Sequence, residues 1–557
     1  MCYIARFINQ YLFIMRKILL LLIGVLVTGN MLWAGGLVTN TNQSTAWARM
    51  LARDASVDID AVFFNPAGLV KLQDGFHISI NSQTLGQKKT IISSFPFLND
   101  PTYEGDVFAP VFPSIYMAWK KGRIAISLGF NPIGGGGSAA FERGLPSMEM
   151  GISALAKSFE PMGVTGYSAD MRFEGSSIYW GLQLGVSFAI TDNISVFAGG
   201  RYVMAKNTYQ GYLKDITFQT AGGDVRADDF MNGVANQAAA AAGQAQFGGD
   251  AMEPLIEGGL GDYTINEAVA LGALTPEQAA MMEGGLMQFG LTQAEIDAMN
   301  IGQSQAYFYG AATQLNGQAA ELRVGAGLMG DQEGIDVVQT GSGFTPILGA
   351  NLSFLEDKIN IGIKYEFKTK MDLTNETTTD FVTGVNPDGS PITMFPDGKV
   401  TNADIPAMLS IGIGLQIIEP VTLQLGYHTY FDSGAGWATD ENGVELIDKN
   451  FSEYAIGLEW ALGPKFRLSG GYLLTITGVN EHYQSDLTYS LNTNTFGYGF
   501  AWDISNAVTL QFGGYATAYS DGNFNKDYNG IAYTETYKKV HYAVSLGLDI
   551  KLGGNKE

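Results

Sequence analysis

From Gly75 onward the chain alternates apolar positions with small or polar ones. Ile178, Trp180, Leu182, Leu184, Val186, Phe188 and Ile190 form one set, and Tyr179, Gly181, Gln183, Gly185, Ser187 and Ala189 the other. Successive side chains of a strand point to opposite faces, so the two sets lie on opposite sides. The C-terminal segment repeats the pattern, with Val540, Tyr542, Val544, Leu546, Leu548, Ile550 and Leu552 against His541, Ala543, Ser545, Gly547, Asp549 and Lys551. Strands are predicted near 75–92, 108–120, 122–134, 175–190, 193–214, 342–355, 358–373, 401–417, 420–432, 451–462, 465–478, 486–502, 507–520 and 534–552. That is about fourteen, an even number, as in single-chain bacterial membrane barrels.

The connections alternate in length. Short ones fall at 120–122, 191–193, 356–358, 418–420, 463–464 and 503–506, and long ones at 93–107, 135–174, 215–341, 374–400, 433–450, 479–485 and 521–533. A soluble sandwich also alternates along its strands, but it has no reason to sort its loops this way. Short periplasmic turns and long extracellular loops do produce the sorting. The fold expected is therefore all-β, a transmembrane antiparallel β-barrel of about 14 strands in a Gram-negative cell outer membrane. Trp119, Tyr202, Trp460, Tyr472 and Trp502 sit near strand ends, where interfacial girdles form.

Two segments break the alternation. Residues 215–341 are rich in Ala, Gly, Gln and Met and predict a partly helical insertion in the third extracellular loop. Thr264 with Glu267, Thr275 with Gln278 and Thr292 with Glu295 have the spacing of capping boxes, and Pro276 suits a first helical position. A helix at 276–289 puts Met282, Leu286 and Phe289 on neighbouring faces. They either pack the insertion on itself or line an extracellular apolar groove, where flexible Met side chains tolerate varied ligands. Residues 35–74 form the second break: a helix-like stretch from Ala46 to Ala55, then the compact run Phe63-Phe64-Asn65-Pro66-Ala67-Gly68-Leu69. Pro66 excludes the helical conformation at Asn65, and Asn65 is expected to bond its own downstream backbone. A turn of this kind just before the first strand suits a plug folded into the lumen.

Composition fits this picture. Charged residues make up only 16% of the 557 positions, while the hydrophobic fraction is 46%. Low charge without repeated apolar runs of about 20 residues points to membrane strands and not membrane helices. The single apolar run, Ile18 to Trp33 behind Arg16 and Lys17, predicts a signal peptide over 1–34 cut after Ala34. Met15 supplies the more compact basic start. The only cysteine, Cys2, lies upstream of the cut, so the mature chain has no disulfide. Residues 1–34 hold Arg6, Arg16 and Lys17 and no acid, so the mature chain carries −26, three more negative than the −23 of the whole. This argues against a nucleic-acid partner. The acids cluster in loops, as at Asp224, Asp228, Asp229, Asp331, Glu333 and Asp336, without the ligand order of a calcium loop. Neither a metal nor a cofactor is expected, and the barrel is expected to be a monomer in contact with outer-membrane lipid.

The stretch from Gln43 to Gly68, with its Asn65-Pro66-Ala67 turn, resembles the N-terminal hatch of the FadL/TodX outer-membrane transporters of long-chain fatty acids and aromatic hydrocarbons. Phe112-Pro113-Ser114, at the expected opening of the second strand, is also similar. The likeness covers the mature chain in architecture and residues 35–70 in motif. It implies passage of an apolar ligand, most readily a long-chain fatty acid, from an extracellular groove to a hatch whose gate is Phe63, Phe64, Asn65, Pro66 and Ala67. It further implies a sideways exit through a gap made by a kinked third strand. Gly134, Gly135, Gly136 and Gly137, at the end of that strand, are the candidate kink or else a flexible loop start. No cation is matched to a ligand carboxylate: residues such as Arg143, Arg172, Arg201 and Arg323 are more often loop or lumen charges than ligands.

Other functions have less support. An outer-membrane enzyme needs a nucleophile, a base and an orienting group, and His77, His428, His482 and His541 lie in no catalytic motif. A general porin does not need residues 35–74. A haemin-binding barrel wants His or Tyr ligands, and the loops are rich in Tyr. An adhesin would suit the acidic loops.

Overall fold

The computed structural model describes residues 43–386, 389–440 and 442–553. The expected signal peptide at 1–34 lies outside them. Fourteen long antiparallel strands follow one another: β1 (Gly75–Ser93), β2 (Thr102–Lys121), β3 (Ile124–Phe141), β4 (Val164–Ala189), β5 (Ile194–Thr220), β6 (Gln332–Phe354), β7 (Ile359–Glu366), β8 (Met408–Ile418), β9 (Val421–Tyr430), β10 (Phe451–Ala461), β11 (Phe466–Ile476), β12 (Thr493–Asp503), β13 (Val508–Tyr519) and β14 (Ile531–Leu552). Each pairs with the next, and β14 pairs back onto β1 from Phe76↔Leu552 to Ser93↔Glu535, which closes the barrel.

The barrel is apolar on its outside. Leu184 is 58% exposed and Phe188 45%, while Gln183 on the opposite face is 1% exposed and Ser187 0%. β14 does the same, with Tyr542 and Leu546 out and Ala543 and Ser545 in. Water would penalise such a surface, but lipid does not, and a closed barrel leaves no unpaired strand edge in the hydrocarbon. Replacing Leu184 with Arg, in the middle of the outward apolar run of β4, is expected to cost about 2–4 kcal/mol. Folding titrations into lipid vesicles measure this, and a cost near zero would place β4 outside the bilayer.

Several strands run further than the alternation predicts on the long-loop side, whereas others stop short of it, as β7 does at Glu366 and not near 373, and β12 at Thr493 and not near 486. β4 begins at Val164 and not near 175, and β6 at Gln332 and not near 342. In the β4 extension the outward residues Ser168, Asp170, Arg172 and Glu174 are polar because they stand above the membrane, while Tyr167, Met171 and Phe173 on the inward face are buried and apolar. The expected loop 135–174 shrinks to 142–163 and contains α3 (Pro146–Ser158), after the short hatch helices α1 (Thr45–Met50) and α2 (Ala61–Phe64).

The insertion is helical, as expected. α4 (Ala227–Asp250) and α9 (Ile301–Leu328) run antiparallel, with α5 (Glu253–Glu257), α6 (Ile265–Ala270), α7 (Pro276–Gln288) and α8 (Gln293–Ala298) at the tip. All three expected capping boxes form, and Asn300 with Gln303 makes a fourth that opens α9. The apolar face of α7 does not line a groove. Leu286 and Phe289 are buried in the insertion's own core, where Phe289 meets Phe308 edge-on at 5.9 Å, and Met282 packs against the same cluster. A short helix tethered at both ends lowers its free energy by covering this stripe with its neighbours.

Candidate functional site

Residues 43–74 fill the lumen. α1 is capped by Ser44, whose hydroxyl accepts from Trp47 N at 2.9 Å, and is ended by Leu51 in the left-handed conformation. Every residue of α1 is buried, although an isolated helix of this length would not persist in water. The barrel wall supplies what the helix lacks. Trp47 packs edge-on to Tyr515 of β13 at 5.4 Å, and Thr45 bonds Asn81 of β1 at 3.0 Å and Ser545 of β14 at 2.7 Å. Arg49 bonds Gln511 of β13 at 3.0 Å and also reaches Glu459 of β10 and Ser469 of β11.

The turn after α1 is held by charge. Arg53 clasps Asp60 through Nε and Nη2, both at 2.8 Å, and Asp58 at 2.7 Å. Burial works against the Arg53 charge, but the two carboxylates hold its guanidinium well above its ordinary value. Asp54 points the other way, into the wall. It accepts from Ser410 of β8 at 2.9 Å and meets Nε2 of His428 of β9 at 2.5 Å. Nδ1 of the same ring meets Glu453 of β10 at 2.9 Å. His428 is thus a lumen residue, as its strand parity predicts, and it ties the hatch to the wall.

The five residues of the expected gate come together. α2 stops at Phe64 because Asn65, ahead of Pro66, takes a non-helical conformation with φ −142° and ψ 69°. Phe63, Phe64, Asn65, Pro66 and Ala67 are all buried. The Asn65 side chain does not bond its own downstream backbone. Its Nδ2 donates to the carbonyl of Ser56 at 3.0 Å and to Asn351 of β6 at 2.7 Å, which holds the side chain away from the following backbone, and the Gly68 N–H donates to the Asn65 main-chain carbonyl instead. Four carbonyls of the turn accept from the wall: Val62 from Gln183, Phe63 from Lys364, Pro66 from Ser187 and Ala67 from Ser195, at 2.5 to 2.8 Å. The Phe63 ring lies against two cations, Arg201 at 5.1 Å and Lys364 at 4.6 Å, which share Glu366.

The wall itself is broken between β2 and β3. β2 and β3 pair from Lys121↔Ile124 to Ile115↔Phe130, then not again until Val107↔Ala139. Across the same stretch β3 stays paired with β4 through two bulges, at Pro132/Gly134 and Gly135/Gly137. Gly134 to Gly137 therefore belong to β3 and are not a loop. Gly135 and Gly137 have φ of +84° and +90°, a region glycine enters without strain. β3 bends away from β2 at these bulges. Phe108 and Val111 on the β2 side are each 65% exposed. Phe112-Pro113-Ser114 lie in mid-strand, beside the break, and not at the strand's opening.

The hatch reaches this break through Gln43, which the sequence marks only as the first residue of the hatch-like stretch. The Gln43 carbonyl accepts from Ser114 at 2.6 Å and Tyr116 at 2.7 Å on β2. Its side chain donates to the Pro132 carbonyl at 2.8 Å and accepts from Asn131 at 2.9 Å on β3. One residue thus bridges the two strands where their own ladder is missing. Around it lies a buried apolar cluster of hatch and wall that includes Trp47, Leu51, Phe63, Phe64, Leu85, Phe112, Tyr116, Ile133 and Tyr179.

These features define a hatch-containing transmembrane β-barrel of the outer-membrane type. Neither a family model nor a curated protein sequence matches the chain. Solved structures do. The chain shares its fold with a Pseudomonas aeruginosa FadL homologue, at TM-score 0.52 and 11% identity, over 93% of this chain and 100% of that one. It is also similar to the Pseudomonas putida toluene transporter TodX (TM-score 0.47, 12% identity, 93% and 99% covered) and the Ralstonia pickettii toluene transporter TbuX (0.44, 12%, 89% and 94%). The match to the FadL homologue gives the chain a FadL-type barrel fold.

Proposed function

We propose that the protein carries hydrophobic small molecules across the outer membrane, past the hatch and sideways out of the barrel between β2 and β3. The observation that carries this is the missing ladder between Val107↔Ala139 and Ile115↔Phe130, which Gln43 bridges. A porin needs an open lumen, whereas here buried hatch residues fill it. An apolar molecule gains about 0.8 kcal/mol for each methylene kept from water. A route ending in the bilayer preserves that gain, and a water-filled route forfeits it. The rim of the break is apolar at Phe108, Val111 and Phe112, which suits such a ligand. Long-chain fatty acids are the first candidate and aromatic hydrocarbons the second. The Phe63, Phe64, Asn65, Pro66 and Ala67 turn is the gate in this reading, and Gly134 to Gly137 allow the bend that opens the wall.

Extraction of the purified barrel followed by mass spectrometry tests this. Acyl chains or aromatic hydrocarbons enriched over a barrel without a hatch are expected. If none is enriched, and cells carrying the protein take up labelled oleate and toluene no faster than cells lacking it, the reading falls.

A further inference from the structure

Five inward side chains form one row across adjacent strands: Lys364 of β7, Ser410 of β8, His428 of β9, Glu453 of β10 and Thr475 of β11. Each lies in register with the next, Ser410 with Lys364 and His428, His428 with Glu453, and Glu453 with Thr475. All five are buried. The row grips the hatch at two points. Lys364 donates to the Phe63 carbonyl at 2.8 Å, while Ser410 and His428 hold Asp54 at 2.9 and 2.5 Å. Glu453 accepts from Nδ1 of His428 at 2.9 Å and from the Thr475 hydroxyl at 3.3 Å.

The imidazole thus stands between two carboxylates, one on the hatch and one on the wall. An ionised carboxylate only accepts hydrogen bonds, so both ring nitrogens donate, and a ring that donates twice holds an extra proton and a charge. A neutral ring would turn a lone pair on one of the carboxylates. The surrounding charges agree. Lys364 and Arg201 share Glu366, so a charged ring makes three cations against the three carboxylates Glu366, Asp54 and Glu453. A neutral ring would leave one buried negative charge uncompensated, which is costly away from water. The other neighbours do not supply the missing charge. Tyr430 of β9, with its ring centre 6.4 Å from that of His428, is uncharged below about pH 10. Asp432, just beyond it, accepts from the Phe451 N–H, and Arg53 on the hatch is taken by Asp58 and Asp60.

We propose that one proton, held on His428 between Asp54 and Glu453, latches the hatch to the wall, so that rising pH releases the hatch. This rests on the transport reading and deepens it, by naming what regulates its gate. Opening carries Asp54 away from the ring. An imidazole in water with one carboxylate beside it gives up its proton at about pH 7. Below that pH the open and closed barrels bind equal numbers of protons, and closure does not depend on pH. Above it the closed barrel keeps a proton that the open one has lost. Each further pH unit then favours opening by about tenfold. On the acid side the latch fails only where the carboxylates themselves take up protons, below about pH 4.

Single-channel recording of the full chain in planar bilayers, from about pH 5 to about pH 9, reads the ratio of open to closed time. The wild-type ratio is expected to be flat up to about pH 7 and then to rise by about tenfold per unit. His428→Gln cannot take up the proton. It is expected to raise the ratio at low pH and to abolish the slope. Asp54→Asn acts the other way. Its amide nitrogen can donate to a neutral ring whose Nδ1 donates to Glu453, so this latch needs no proton and is expected to stay closed at about pH 9. Heat-modifiability on gels shows that each variant is folded, and if one is not, the wild type and the other decide. A flat wild-type ratio, a slope that survives in His428→Gln, or an Asp54→Asn barrel that opens with pH as the wild type does would each overturn the proposal. A flat ratio in a barrel that carries enriched hydrophobes sinks the latch alone. A sloping ratio in a barrel that enriches and takes up none keeps the latch and sinks the transport reading.

Discussion

Arg49→Met is expected to loosen the hatch by about 3 kcal/mol and to make the closed barrel leak, because it takes the guanidinium from a half-buried carboxylate and empties a buried donor site. Arg49 is 2% exposed and reaches three strands from one guanidinium: Gln511 on β13, Glu459 on β10 and Ser469 on β11. Methionine keeps much of the volume and none of the donors. Glu459 then has no guanidinium from the hatch, and α1 has too few residues to persist without its wall contacts. The barrel strands pair with one another and do not depend on α1, so the variant should still fold and resist heat in SDS. Single-channel conductance in planar bilayers measures the leak. A conductance as low as that of the wild type would mean that the Asp54 and Asn65 contacts hold the hatch alone. A second change, Glu459→Leu, removes the stranded charge. The double variant R49M/E459L is expected to recover part of the closed state, because the two sites form one buried pair and their effects do not add.

Gly135→Val is expected to lower hydrophobe uptake by about tenfold or more while sparing export and folding, since the site sits in a bulge and not in the ladder that closes the barrel. A Cβ built on Gly135 lies 2.1 Å from the Ser177 carbonyl oxygen, and φ is +84°, which a β-branched residue avoids. Valine forces this residue toward ordinary strand geometry. The bulge is then lost, and β3 is free to lie against β2 where the ladder is now missing. Uptake of labelled oleate or toluene by cells expressing the variant gives the readout, with heat-modifiability on gels as the control for folding. Wild-type uptake by a folded Gly135→Val barrel would remove the bend from the mechanism. Loss of uptake together with loss of the folded band would instead show that the bulge is needed to build the wall.

Much of this architecture is legible in the chain itself. The alternation along 178–190 and 540–552 assigns each residue a face, and the sorted loops assign the strands a direction across the membrane. Both are local properties, because a strand's faces follow from its period of two. The capping boxes at Thr264, Thr275 and Thr292 are local too, and all three form. So is the break at Asn65, which Pro66 imposes on the residue before it. Strand ends were less legible. Above the membrane the outward face of β4 turns polar while Tyr167, Met171 and Phe173 inside are apolar, so the alternation inverts its polarity although the ladder continues.

The stripe on α7 shows where local reading stops. An amphipathic face looks the same whether it covers a ligand or a neighbouring helix, and only the position of Phe308 on α9 shows that Leu286 and Phe289 serve the insertion's own core. The site depends on the same long-range placement. Gln43 bridges β2 and β3 through residues 71 to 89 positions away, and Asn65 finds Asn351 across 286. His428 meets Asp54 across 374 only because the hatch folds back into the closed sheet. The sequence by itself determined the barrel, its inside and outside, and a plug before the first strand, since periodicity and turn chemistry act over a few residues. Only the tertiary structure decided where the wall opens, what holds the plug and which buried charges meet. Those depend on which distant segments a closed sheet brings together, and no local pattern encodes that.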